Sequence, residues 1–221
     1  METLKASESI SNQLEDSQVV KRVLSGEKEL FEILVRRNNQ TLYRVIRSYL
    51  KDSEDVQDAM QNTYLKAFHK LMQFHGDSSF STWLIRIGIN EALLRLKEMK
   101  KGRVVSMNSI NPLTDQVYKI PDKRMNPENA VLRQEAKRLV EQAIDSLPEK
   151  YRVVYMLKEI EGLDNAQIQA VLELTESNIK VRLHRAKNLL RDSLYELSSS
   201  EVFEFGNNRC DAIVAFVMSR I

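Results

Sequence analysis

Apolar residues recur along the first half of the chain at the three- and four-residue intervals of an amphipathic helix. Leu30, Phe31, Leu34 and Val35 open one stripe, and Tyr43, Ile46, Tyr49 and Leu50 continue it. Asp52 or Ser53 is placed to cap a further helix, with Glu54 and Asp55 in a first turn where negative charge suits the helix dipole. That helix should turn Met60, Tyr64, Ala67, Phe68 and Leu71 inward. The run His75-Gly76-Asp77-Ser78-Ser79 breaks the pattern, which resumes at about Ser81. Trp83, Leu84, Ile87, Ala92, Leu93 and Leu96 then supply a core face in some combination. From Met99 to about Asn126 no helical period is sustained, and three of the four prolines fall in MKKGRVVSMNSINPLTDQVYKIPDKRMNP. This stretch reads as an extended linker between two helical domains.

The second half restarts at Asn126-Pro127-Glu128, with proline in the first turn where its missing N–H does no harm. Ser146-Leu147-Pro148-Glu149 has the spacing of a capping box. A short helix around Ala166–Leu172 should bury Ile168, Val171 and Leu172, and Thr175 is placed to cap a longer one. On the longer helix Ile179, Leu183, Ala186, Leu190 and Leu194 form an apolar stripe. Lys180, His184, Lys187 and Arg191 fall on another face, with Arg182 and Arg185 beside them. Between Ser177 and Asp192 stand five Lys or Arg and no acid. A merely solvated face usually mixes signs, whereas one-signed Arg and Lys suit guanine edges and phosphates. Short helix, tight turn and long basic helix make a helix-turn-helix, whose second helix enters the major groove.

Composition narrows the class further. With 6 Gly and 4 Pro in 221 residues, a turn-rich β fold is disfavoured and an all-α fold is expected. The formal charge of only +2 does not announce a nucleic-acid binder, so the distribution of charge carries that argument. A single cysteine, Cys210, excludes an internal disulfide and suits a reducing compartment. METLKASESISNQLED is polar and acidic, unlike a secretory signal, and no run approaches the ~18 apolar residues of a membrane span. A cytoplasmic protein without membrane insertion is expected. No Gly-rich phosphate loop or nucleophile constellation occurs, His69, His75 and His184 are scattered, and Cys210 has no nearby Cys or His. Neither an enzyme nor a metal site nor a cofactor is expected.

Two blocks then carry a specific resemblance. SLPEKYRVVYMLKEIEGL and the following stretch to RLHRAKNLLRDSL resemble the C-terminal domain of the extracytoplasmic-function (ECF) sigma factors, bacterial transcription initiation subunits of RNA polymerase. EDVQDAMQNTYLKAFHKL resembles the polymerase-binding helix of sigma domain two, with Asp58 and Gln61 matching its D-x-x-Q signature. The resemblance implies that Asp55, Asp58, Gln61 and Asn62 dock on the clamp coiled coil of core polymerase. FHGDSSFSTWLIRIGINEALLRLKEMKKGR resembles the segment that melts the promoter and reads its minus-ten element. Ser79, Phe80, Trp83, Arg86, Asn90 and Arg95 are its implied DNA-contact residues, although plain core packing is the stronger reading of Trp83 and Phe80 suits either role. An extruded base costs a few kcal/mol, which stacking and edge hydrogen bonds can offset. The helix-turn-helix is implied to read the minus-thirty-five element through Thr175, Ser177, Asn178, Lys180, Arg182, His184 and Arg185. One departure stands in its turn: Glu173 occupies a position where the family usually has glycine, and a side chain at positive φ costs about 1 kcal/mol.

The expected organisation is therefore sigma domain 2 over residues 1–98, a linker over 99–127, sigma domain 4 over 128–197, and an extension over 198–221. The implied partners are core polymerase, through its clamp and flap, and promoter DNA. The tail EVFEFGNNRCDAIVAFVMSRI is open to two readings: a helix packed back on the second domain, or a docking surface for an anti-sigma factor or other recruiting partner. The main rival to a sigma factor is a helix-turn-helix regulator that is not a polymerase subunit. It explains residues 146–194 but neither the D-x-x-Q segment nor the SFSTWL run.

Overall fold

A computed structural model describes residues 14–103 and 127–199, and every regular element among them is helical. Residues 104–126 of the expected linker and 200–221 of the expected extension, Cys210 included, lie outside the described residues. The helices are α1 (Asp16–Leu24), α2 (Phe31–Arg47), α3 (Ser53–His69), α4 (Phe80–Arg103), α5 (Pro127–Ser146), α6 (Glu149–Tyr155), α7 (Asn165–Leu172) and α8 (Glu176–Ser199).

Local chemistry sets most boundaries. The Asp52 carboxylate accepts from the backbone N–H groups of Glu54 and Asp55 at 2.9 and 3.1 Å, so the α3 cap falls where the sequence puts it. Ser79 Oγ accepts from Thr82 N at 3.1 Å and opens α4, which continues to Arg103, past the point where its apolar period fades. The Ser146 capping box does not form. Ser146 is still the last residue of α5, and its hydroxyl donates back to Ala143 O at 2.7 Å. Pro148 stands at the start of α6 instead, its carbonyl accepting from Tyr151 and Arg152. Beyond α6 the chain widens into a π turn at Met156–Ile160, closed by Glu161 N donating to Met156 O. Asp164 and Gln167 then form a reciprocal capping box on α7, and Thr175 Oγ1 accepts from Asn178 N at the start of α8.

By contacts the chain divides into two compact units. One comprises Met1–Pro121 with Pro148–Ala186, the other Asp122–Leu147 with Lys187–Ile221. In the first unit α2, α3 and α4 bury Leu34, Leu42, Ile46, Val56, Ala67, Leu84, Ile85 and Ile89. The α4 combination differs in part from the expected one, since Ile85 and Ile89 turn inward while Leu93 is exposed. Gly88 permits the close crossing of α4 on α2: a Cβ there would stand 2.6 Å from Leu42 Cδ1. Val153, Val154, Leu157, Ile168, Val171 and Ile179, from α6, the π turn after it, α7 and α8, belong to the same continuous core. In the second unit Ala143, Leu147 and Leu190 are buried.

Candidate nucleic-acid and polymerase interfaces

Asp58, Gln61 and Asn62 lie exposed on α3 at one-turn spacing. Asp55 differs, because its side chain is only 13 % exposed and is engaged by α4. Arg95 donates from Nε to Asp55 Oδ1 at 2.7 Å and approaches Asp58 and Glu98 at 3.9 and 4.0 Å. The hydrogen bond to Asp55, with the negative charge around it, holds the Arg95 guanidinium above its ordinary pKa. The structure thus joins residues that the sequence assigns to separate tasks. Asp58, Asn62, Lys66, Glu91, Leu94, Arg95 and Glu98 line one groove between α3 and α4, crossed by a 2.6 Å bond from Lys66 Nζ to Glu91.

The residues named for promoter melting separate by burial. Phe80 is 2 % exposed and packs with Phe74 and Trp83, ring centroids 5.5–5.8 Å apart. Trp83 is half-buried in the same cluster, while Ser79 sits exposed on the loop leading into it. Arg86 and Asn90 are exposed one turn apart on α4. Arg86 Nη2 donates to Glu173 Oε1 at 2.7 Å.

Glu173 itself ends α7 with φ 54° and ψ 40°, the left-handed conformation for which glycine is the usual residue. It is the one non-glycine residue with positive φ among the described residues. The turn therefore keeps its geometry and carries the strain. After it, the cap Thr175 is exposed, as are Ser177, Asn178, Lys180, His184 and Arg185 on α8, and the buried side is formed by Ile179, Ala186 and Leu190. Lys180 Nζ lies 2.7 Å from Glu176, whose carboxyl is held below its ordinary pKa by bonds from Lys180 and Asn165. Arg185 donates to Tyr151 OH at 3.1 Å, which holds the Tyr151 phenol below its ordinary pKa. Arg182 is half-buried in a groove shared with Tyr49, Leu93, Glu149, Val153, Leu172 and Leu174. Burial raises the pKa of Tyr49, with Glu149 adding to the shift and Arg182 opposing it.

Tyr151 and Glu91 escape a sequence reading, and so do the charged neighbours of the stripe residue Tyr49, since each matters through a partner on a distant element. Glu173 was visible as a departure in the turn, but its link to Arg86 was not. No group of three His, Cys, Asp or Glu capable of holding a metal occurs among the described residues, and no helix among them is long and apolar enough to cross a membrane.

Residues 34–101 match the family model described as Sigma-70 region 2, and residues 137–190 match Sigma-70, region 4. The chain is 31 % identical over 191 residues to the ECF RNA polymerase sigma-E factor of Salmonella typhimurium, covering 85 % of this chain and 98 % of the relative. It is 32 % identical over 189 residues to the RNA polymerase sigma-H factor of Pseudomonas aeruginosa, covering 84 % and 96 %. A solved structure of CnrH in complex with the cytosolic domain of CnrY superposes with a TM-score of 0.54 at 26 % identity, over 83 % of this chain and 96 % of that one.

Proposed function

Because the chain belongs to the extracytoplasmic-function subfamily of the sigma-70 factors, it directs promoter-specific initiation by RNA polymerase, and we propose how its surfaces divide that work. Asp58, Gln61 and Asn62 present an exposed carboxylate–amide face that suits a basic helical partner, the polymerase clamp. Asp55 holds Arg95 beside that face and is a positioning residue. Ser79, Arg86, Asn90 and Arg95 form the minus-ten contact set, with Trp83 at its edge and the buried Phe80 supporting the loop from below. Thr175, Ser177, Asn178, Lys180, Arg182, His184 and Arg185 read or flank the minus-thirty-five element, and the remaining face of the second domain meets the polymerase flap. The proposed boundaries are 1–98 for domain 2, 128–197 for domain 4 and 198–221 for an extension. The protein acts by binding rather than by catalysis. A further protein partner, an anti-sigma factor or another recruiting protein, is proposed because the similar CnrH is solved in complex with the cytosolic domain of CnrY. The observation that carries this reading is the exposed row Lys180, Arg185, Lys187 and Arg191 on α8, with no acid between Ser177 and Arg191.

Run-off transcription with core polymerase on a library of upstream sequences tests it. Lys180→Ala and Arg182→Ala should reduce initiation most, and at least one should relax preference at a defined base pair. A base-edge contact carries roughly 1–3 kcal/mol of discrimination, whereas a phosphate contact weakens all sequences alike. His184→Ala and Arg185→Ala should show the uniform pattern. A chain that binds duplex but is not retained by core polymerase would instead be a regulator outside the polymerase.

A further inference from the structure

The helix-turn-helix half of the first unit is closed onto the helices that carry the minus-ten contact set. Arg152, 5 % exposed, donates from Nε to Ser48 O at 2.8 Å. Arg44 reaches the almost fully buried Glu161 carboxylate at 3.3 Å. Gln167 on α7 donates to Thr82 on α4 at 3.4 Å, and one apolar core runs through both halves. At the exposed end of this seam Glu173 takes Arg86.

Two independent features of Glu173 need one explanation. Its backbone holds a conformation that glycine adopts without cost, so the side chain is retained against strain. That side chain gives the Arg86 guanidinium one charge-assisted hydrogen bond through Oε1, an anionic oxygen acceptor of the kind a phosphate would also offer. We propose that Glu173 is an internal stand-in for a promoter phosphate: it occupies Arg86 and latches the free chain closed, and opening on polymerase returns Arg86 to DNA. The latch rests on the assignment of Arg86 to promoter contact. Both partners are largely exposed, 54 % for Arg86 and 76 % for Glu173, so the pair tips a balance that the apolar seam sets rather than holding the unit shut alone.

The full chain, with Cys210→Ser and spin labels introduced through Gln57→Cys on α3 and Ala170→Cys on α7, reports closure by pulsed dipolar spectroscopy. Low salt should give a predominantly short distance. Glu173→Gln or Arg86→Glu should raise the ratio of open to closed chains about two- to fivefold, the range that an exposed ion pair supports. Added salt should act in the same direction by screening the pair. The reversed pair, Arg86→Glu with Glu173→Arg, should restore the short distance. Distances unmoved by Glu173→Gln, or not restored by the reversed pair, would remove the latch while leaving the assignment of function untouched. Run-off initiation by Arg86→Ala checks the other link: normal initiation would remove the promoter role of Arg86, and the latch as a regulatory device with it.

Discussion

At the scale of single residues, charge and backbone strain compete most visibly at Glu173. Glu173→Gly should relieve about 1 kcal/mol of left-handed strain, less what the unfolded chain gains in freedom, and raise the melting temperature by up to about 2–4 °C. Glu173→Gln should leave the melting temperature nearly unchanged, because the strain stays and an exposed pair contributes little. Scanning calorimetry of the two variants separates backbone from charge, and a lower melting temperature for the glycine variant would show that the side chain stabilises the turn. Asp58→Ala with Gln61→Ala should weaken capture of core polymerase while the melting temperature holds, since exposed helical positions tolerate alanine. A large loss of stability would make this pair structural and shift the clamp face along α3. The tyrosines add a pH signature. Burial raises the phenol pKa of Tyr49 and of Tyr64, so the folded state keeps protons that the unfolded state begins to release near pH 10. Their contribution to stability is complete below that point and declines as pH rises above it. Absorbance at the phenolate band should show late titration of two of the seven tyrosines, and early ionisation of all seven would contradict their burial.

At the scale of elements, the sequence is legible wherever a helix is decided within its own turn. Asp52 and Thr175 cap as expected because capping needs only a side chain and the N–H groups two or three residues on. The Ser146 box fails for an equally local reason that spacing cannot reveal. The preceding helix reaches Ser146 first and keeps its hydroxyl. α1 passes unnoticed because nine residues offer too short a period, although Val19, Val20 and Val23 are buried. The pairs that define the site are harder still. Arg95 and Asp55 are 40 residues apart and Arg86 and Glu173 are 87 apart, and no periodicity connects them. The α2–α4 crossing makes its own prediction. Gly88→Ala should cost about 1–3 kcal/mol through overpacking against the fully buried Leu42, measured by urea denaturation. A neutral result would mean that Leu42 has room to turn aside.

At the scale of the whole molecule, near-neutral charge and internal pairing both act against DNA binding by the free chain. With a net charge of +2 and Arg86, Arg95 and Lys180 each facing a carboxylate, duplex binding without polymerase should be weak. Titration at fixed, stated salt checks this, because phosphate contacts release counterions and fade as salt rises. Tight specific binding by the isolated chain would contradict it. The seam between the two halves of the first unit brings in a further variable, temperature. Its interior is apolar, built from the continuous core, while the groove that Tyr49, Leu93, Val153, Leu172 and Leu174 line also holds Glu149, Lys150 and Arg182. Burying apolar surface lowers heat capacity, and the attraction that results weakens on cooling. A chain held closed by such a seam should loosen in the cold, so a factor poised at growth temperature would enter a chill with more of its promoter-reading surface already open.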